Sequence, residues 1–238
     1  MTEFAEIWSY LSQGPLLWLT ATLAAYALGD ACFRAAGRNP LANPVLISVV
    51  VLAALLWLTG TTYATYFAGA QFVHFLLGPA TVALALPLYD SLPQLRRALL
   101  PVLAALIVGS LTAALSALAI AHAFGVSPEV LAALAAKSAT APVAIGIAER
   151  MGGSPTLTAM LVILTGVTGA VVATPVLNAL RLKDWRARGF AVGVTSHGIG
   201  TARAFQVHPT AGAFAGLGMA LNAIATALIA PFALSLFQ

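Results

Sequence analysis

The sequence predicts an all-α integral membrane protein, a polytopic helical bundle in which proline and glycine break some helices or turn them back. Three observations predict it. Hydrophobic residues make up 61% of the 238 and charged residues only 8%, where a soluble domain carries roughly 25% charged. The apolar residues gather in long runs, with a mean hydropathy of +0.96. That leaves no room for an extramembrane domain, so a single transmembrane domain over 1–238 is expected. Several runs also contain an internal proline, which removes a backbone donor and interrupts a helix.

Pro15 opens the first run, which continues to about Phe33 and is followed by Arg34 and Arg38. Asn43-Pro44 starts the second, which ends near Gly60-Thr61-Thr62. The third, Gln71 to Tyr89, holds His74, Gly78-Pro79 and Pro87, so it cannot be one straight helix. Asp90 to Arg97 is a polar turn. The fourth run, Ala98 to Phe124, ends at Gly125-Val126-Ser127-Pro128, where Ser127 is placed to cap and Pro128 to open the next helix. The fifth, Glu129 to Ala148, has about 20 residues, just enough at ~1.5 Å each to span ~30 Å of hydrocarbon. Gly152-Gly153-Ser154-Pro155 supplies a turn and another cap, and the sixth run extends to about Leu180. A basic loop from Arg181 to Arg188 leads into a glycine-rich seventh stretch, Gly189 to Phe205. His208-Pro209 starts the last helix, which runs to about Leu236.

The formal charge of +4 sits in short loops, where it sets topology and does not form a face for nucleic acid. Cys32 is the single cysteine, so there is no disulfide framework and no thiol ligand cluster. Met1 to Ser12 carries Glu3 and Glu6 and no basic residue, the wrong pattern for a secretory signal. This fits a multi-pass protein of a bacterial inner membrane, inserted through its own first helix.

The fifth run holds the densest chemistry, Lys137-Ser138-Ala139-Thr140-Ala141-Pro142. A lysine at the centre of a membrane costs ~2.5–3.5 kcal/mol even on the lenient insertion scale. Pro142 has no amide to give the carbonyl of Ser138, and Ala141 is pushed from helical angles by the proline after it. Non-helical backbone at that depth survives only against protein or a water-filled cavity. Counting charge sharpens the point. Arg34/Arg38, Arg96/Arg97 and the Arg181 to Arg188 loop should all face the cytoplasm. Three runs separate Arg97 from Arg181, so one of them does not cross, and the broken lysine segment is the natural re-entrant hairpin. An echo between Pro79-Ala80-Thr81-Val82-Ala83 and Pro142-Val143-Ala144, each followed by a proline-started helix, points to an internal repeat of the kind transporters show.

A second constellation is Thr195-Ser196-His197-Gly198-Ile199-Gly200-Thr201-Ala202-Arg203. Read as a helix, Ser196, Gly200 and Arg203 share one face. It is neither a phosphate loop nor a nucleophile elbow, and no carboxylate stands within the runs to complete a hydrolase triad. No enzyme, cofactor or metal site is therefore expected. Arg203, as a permanently charged fork, and Lys137 would together neutralise a small organic anion. The expected substrate site is Pro79, Thr81, Lys137, Ser138, Thr140, Pro142, Ser196, His197, Gly198, Gly200, Thr201 and Arg203. His74 or His197 would carry a coupling proton, the alternative being a neutral imidazole bonded to a carbonyl. Asn178 and Asn222 read as interhelical hydrogen-bond partners, and Gly166, Gly169, Gly212, Gly216 and Gly218 as close-packing points or a dimer surface.

At these residues the chain resembles the LrgB family of bacterial membrane proteins, related to CidB. The matching stretches run from Phe75 to Ala85, Lys137 to Ala144, Ser196 to Ala204 and Gly212 to Asn222. Ala139 and Ala141 replace hydroxyl residues usual in the family's lysine motif. The resemblance implies two different functions. One is antiholin-like regulation of murein hydrolase export and cell lysis. The other is glycolate/glycerate transport, as in a plant chloroplast relative. It also implies a small LrgA/CidA-like membrane partner. A lysine, an arginine and broken backbone gathered at depth favour the transporter, working as a homodimer.

Overall fold

The computed structural model describes residues 14–39, 42–76 and 98–237, together with Pro79, Tyr89, Pro93 and Arg96. Those residues are helical, without strands. In order the helices are α1 (Pro15–Ala35), α2 (Pro44–Thr59), α3 (Tyr63–Phe75), α4 (Leu99–Ala123), α5 (Pro128–Ala135), α6 (Ala141–Arg150), α7 (Pro155–Ala179), α8 (Trp185–Val207) and α9 (Pro209–Ser235). Contacts gather the residues up to Ala83 into one unit and those from Leu84 into a second.

In the first unit, Asn43 Oδ1 accepts from the amides of Val45 and Leu46 and so starts α2, as expected. Gly60 ends it in the left-handed region at φ 64°. The helix α3 begins at Tyr63, well before the expected start at Gln71. Thr62 Oγ1 accepts from the amide of Thr65 at 3.3 Å and caps a helix inside a stretch whose hydroxyls read as a turn. The first half of the proline echo falls almost wholly outside the described residues, as do Thr81 and the side chain of His74.

In the second unit, α4, α7 and α9 are long and apolar enough to cross a membrane. α4 and α9 run parallel. Val102 and Leu106 meet Phe214 and Leu217 near the starts of both, while Leu118 and Ala121 meet Ala233 and Leu234 near the ends. Ser154 caps α7 by accepting from the amide of Leu157. Ser127, by contrast, makes no capping bond to α5, where Pro128 at the first turn already needs no acceptor.

α5 and α6 form the hairpin that charge counting calls for. With 8 and 10 residues, at ~1.5 Å each, neither reaches across ~30 Å. The chain after α6 comes back alongside α5: a Cβ on Gly153 would lie 3.0 Å from the amide nitrogen of Ala133. At the other end of the hairpin Ala136, Ala139 and Ala144 close around Val162 of α7. The hairpin enters from the side where α4 ends and leaves on that side. Among the described residues between Arg96 and Arg181, α4 and α7 are the helices long and apolar enough to cross, the even number that the charge count requires.

α8 departs from the sequence reading. It is interrupted at His197, whose φ of 40° and ψ of −134° turn the chain back. Gly189 and Gly193 of the first arm abut the carbonyls of Ala211 and Ala215, so that arm runs parallel to α9. Since α9 follows α8 directly, the second arm must return to the side from which the first set out. The contacts agree: Val192 packs with Ala204, and Trp185 stacks on His208 at 4.8 Å and 5°. Ser196 therefore stands on a different arm from Gly200 and Arg203, and the shared helical face does not exist. This second hairpin enters from the side where α7 ends. The two tips meet on α7 between Val162 and Gly169.

Candidate functional site

The meeting point is held by hydrogen bonds that replace those the breaks remove. Ser138 loses the amide that Pro142 cannot supply, and its carbonyl accepts instead from Asn222 Nδ2 of α9 at 3.0 Å. Asn222 is fully buried and oriented in turn by Ser110 of α4, whose Oγ donates to Oδ1 at 2.5 Å. The expected interhelical role of Asn222 is thus a splice in the broken ladder. On the other tip, His197 Nε2–H donates to the carbonyl of Val162 at 2.9 Å, which sets the ring's tautomer. Thr201 Oγ1 donates to the carbonyl of His197 at 2.8 Å. A non-glycine residue at such angles costs of order 1–3 kcal/mol and persists only where its surroundings over-determine it. Small residues on α7 admit the second tip: a Cβ on Gly169 would overlap Ser196 Oγ, and one on Gly166 would press on the His197 ring.

Beside the tips lies a cleft of about 610 Å³, bounded by α4, α5, α7 and the first arm of α8. Its polar lining is Ser116 from α4, Lys137 and Ser138 from the first tip, Thr165 and Thr168 from α7, and Thr195 and Ser196 from the second. Leu161, Leu164, Val172 and Val176 supply much of the apolar wall. Lys137 stands two residues past the end of α5, where the negative end of the helix dipole favours a cation. Its Nζ donates to Ser138 Oγ at 3.2 Å. Thr195 Oγ1 donates to the carbonyl of Ala191 and lies 3.1 Å from Ser196 Oγ. Among the described residues the ion pairs are Arg34–Asp30 and Arg186–Asp184, neither of them in the cleft.

Three of the expected site residues, Lys137, Ser138 and Ser196, thus line one cleft. Thr140 and Pro142 stand at the start of α6, where Thr140 makes no side-chain capping bond, and they do not line it. His197, Gly198, Gly200 and Thr201 build the second tip behind it. Arg203 lines a different, small cavity with Arg188 and Trp185. Pro79 belongs to the first unit. The reading of the sequence missed Thr165 and Thr168, although Thr165, Gly166, Thr168 and Gly169 cluster small and hydroxyl residues in the middle of α7.

Comparison with known proteins bears on the whole chain. A family model described as the LrgB-like family matches residues 22–236. The chain is 36% identical to the uncharacterised protein YwbG of Bacillus subtilis over 193 residues, 81% of this chain and 86% of that one. It is 35% identical to an uncharacterised protein of Haemophilus influenzae over 84% of this chain and 86% of that one. It is 30% identical to the holin-like protein CidB of Staphylococcus aureus over 84% of this chain and 87% of the relative. No solved structure matches it.

Proposed function

The chain belongs to the LrgB-like family, and within that family we propose that it is a secondary transporter carrying small monocarboxylates such as glycolate across a bacterial inner membrane. The observation that carries this reading is the Lys137 ammonium, presented by a re-entrant tip to a cleft whose other polar groups are hydroxyls. An ammonium and a carboxylate make a charge-assisted hydrogen bond, and serine and threonine hydroxyls serve a 2-hydroxyl group. The cleft volume lies in the range of ~300–1,000 Å³ usual for small-molecule sites. Two hairpins entering from opposite sides and meeting at depth are what alternating access needs, since each can open its own side. Resemblance to the plastid glycolate/glycerate transporter supports the choice of substrate. In the same proposal the protein works as a homodimer alongside a small LrgA/CidA-like membrane protein.

The holin-like name of the staphylococcal relatives favours a second reading, a lysis regulator without turnover. Purified protein in liposomes separates the two. Saturable uptake of glycolate, competed by glycerate and closed to a larger dye, is the expected result. Dye leakage without selective uptake would replace the transporter with a pore.

A further inference from the structure

We propose that Lys137 also couples transport to protons: it takes up a proton with each substrate anion on one side of the membrane and releases both on the other. The proposal rests on the transporter reading above. Lys137 is half-buried at the first tip, and its Nζ donates to Ser138 Oγ at 3.2 Å. A hydroxyl both donates and accepts, so Ser138 serves a neutral amine as readily as an ammonium. A carboxylate in that place would lock the positive charge. Among the described residues the cleft holds none, and its other polar side chains are serine and threonine hydroxyls. The carboxylates of the hairpin, Glu129 and Glu149, are exposed in the first turn of α5 and the last turn of α6. The helices packed around the tip bring little other charge. α7 and α9 have no ionisable side chain, and α4 has His122 in its last turn. In α8, Arg186 and Arg188 stand at the base of the first arm and Arg203 on the second, while His197 comes near enough to feel the lysine's charge. The His197 ring is committed through Nε2 to the Val162 carbonyl.

The charge of the moving site fixes the cycle. With substrate bound, ammonium and carboxylate sum to zero. Without it, a lysine that kept its proton would return as a bare cation, which membrane depth penalises. An amine escapes the penalty by giving up the proton, and a guanidinium cannot. On the entry side the neutral amine of Lys137 takes a proton from water, and the resulting ammonium binds the anion. On the exit side the anion leaves, one N–H bond breaks, and the proton follows into water while the electron pair stays on Nζ. One anion and one proton have crossed, with no net charge moved.

The test is glycolate uptake by the full chain in liposomes that hold a lumenal pH dye. Potassium and valinomycin set the membrane potential, and the signal of protein-free liposomes is subtracted. Wild type should acidify the lumen by about one proton per glycolate, and an inside-positive potential should change its rate less than about twofold. Lys137→Arg keeps a cation and loses the titratable amine. It should still exchange labelled for unlabelled glycolate, which never needs the empty site to cross, and lose at least about tenfold in net uptake. Should that variant not assemble or bind, Lys137→Cys in a Cys32→Ser background takes its place. Aminoethylation of the new thiol should restore acidifying uptake, and a trimethylammonium label should not. Uptake driven by an inside-positive potential without acidification would overturn the proposal and leave the transporter standing. Acidification that survives in Lys137→Arg or under the trimethylammonium label would give the proton to another group and overturn it too. Failure of the aminoethylated protein to acidify counts the same way. Dye leakage without glycolate uptake would remove the transporter reading and the proposal with it.

Discussion

Replacing Asn222 by alanine tests whether the lysine tip is held by the side-chain splice. The substitution removes the donor to the Ser138 carbonyl and the acceptor of Ser110 Oγ, both buried. Side-chain hydrogen bonds between membrane helices average ~0.6 kcal/mol and reach ~1.7. A buried group left unpaired costs ~1–3 kcal/mol, and Pro142 leaves the Ser138 carbonyl no helical amide to fall back on. Taken together, Asn222→Ala should destabilise the protein by about 1–3 kcal/mol. For a chain of this size that lowers Tm by about 2–12 °C. Ser110→Ala loses one bond and leaves the splice in place, so its cost should be about 0.6–1.7 kcal/mol. The two residues act as one unit, and the double variant should cost less than the sum of the singles by at least ~0.5 kcal/mol. Thermal unfolding in detergent measures all three. An Asn222→Ala protein that melts within a degree of wild type refutes the reasoning, for the broken ladder would then be satisfied by some other group.

Lys137→Ala should keep its fold and lose about 10- to 150-fold in glycolate affinity, the worth of a hydrogen bond to a charged group; Arg203→Ala, on the other cavity, should change that affinity less than threefold, and calorimetry on both variants checks this. Gly166→Ala should press its methyl against the His197 ring, break the bond to Val162 and lower stability by about 1–3 kcal/mol, the range for overpacking, with a matching fall in Tm. The Asp184 carboxyl is held down at about 2 from 3.8, first by the Arg186 side chain and then by its backbone amide. A depressed carboxylate pKa adds stability that is present above about pH 4 and is lost as pH falls toward about 2. Asp184→Asn should therefore flatten the acid limb of a Tm-versus-pH curve in that window, by a small margin because the pair is exposed.

Much of this architecture was readable because its signals are local. Asn43, Ser154, Pro128, Pro155 and Pro209 mark helix starts by chemistry confined to one turn, and the long apolar runs declare α4, α7 and α9. The first hairpin was readable for a different reason: parity of charged loops is global, yet it needs only a count. The second hairpin escaped. Nothing within a turn of His197 forbids a helix, and the glycines around it suit a close-packed helix equally well. What turns the chain there is a carbonyl on α7, that of Val162, and partners distant in sequence leave no local trace. Lys137 and Arg203, grouped in the sequence by composition and run depth, line different cavities. Thr165 and Thr168 joined the cleft only once the tips were seen to meet on α7.

The splice between Asn222 and Ser138 joins residues 84 positions apart, and that interval has a meaning during synthesis. The lysine tip emerges from the ribosome before the helix that receives it exists. At about 5–20 residues per second the wait is about 4–17 s. Through that time the tip has neither its amide partner nor the α9 wall, and a charged, hydroxyl-bearing loop gains nothing by entering lipid alone. The nascent hairpin should therefore lie at the membrane surface or within the insertion machinery and dock only after α9 arrives. Assembly of the second unit then ends in a late folding step within the bilayer, and a ribosome stalled before Asn222 would display the hairpin undocked.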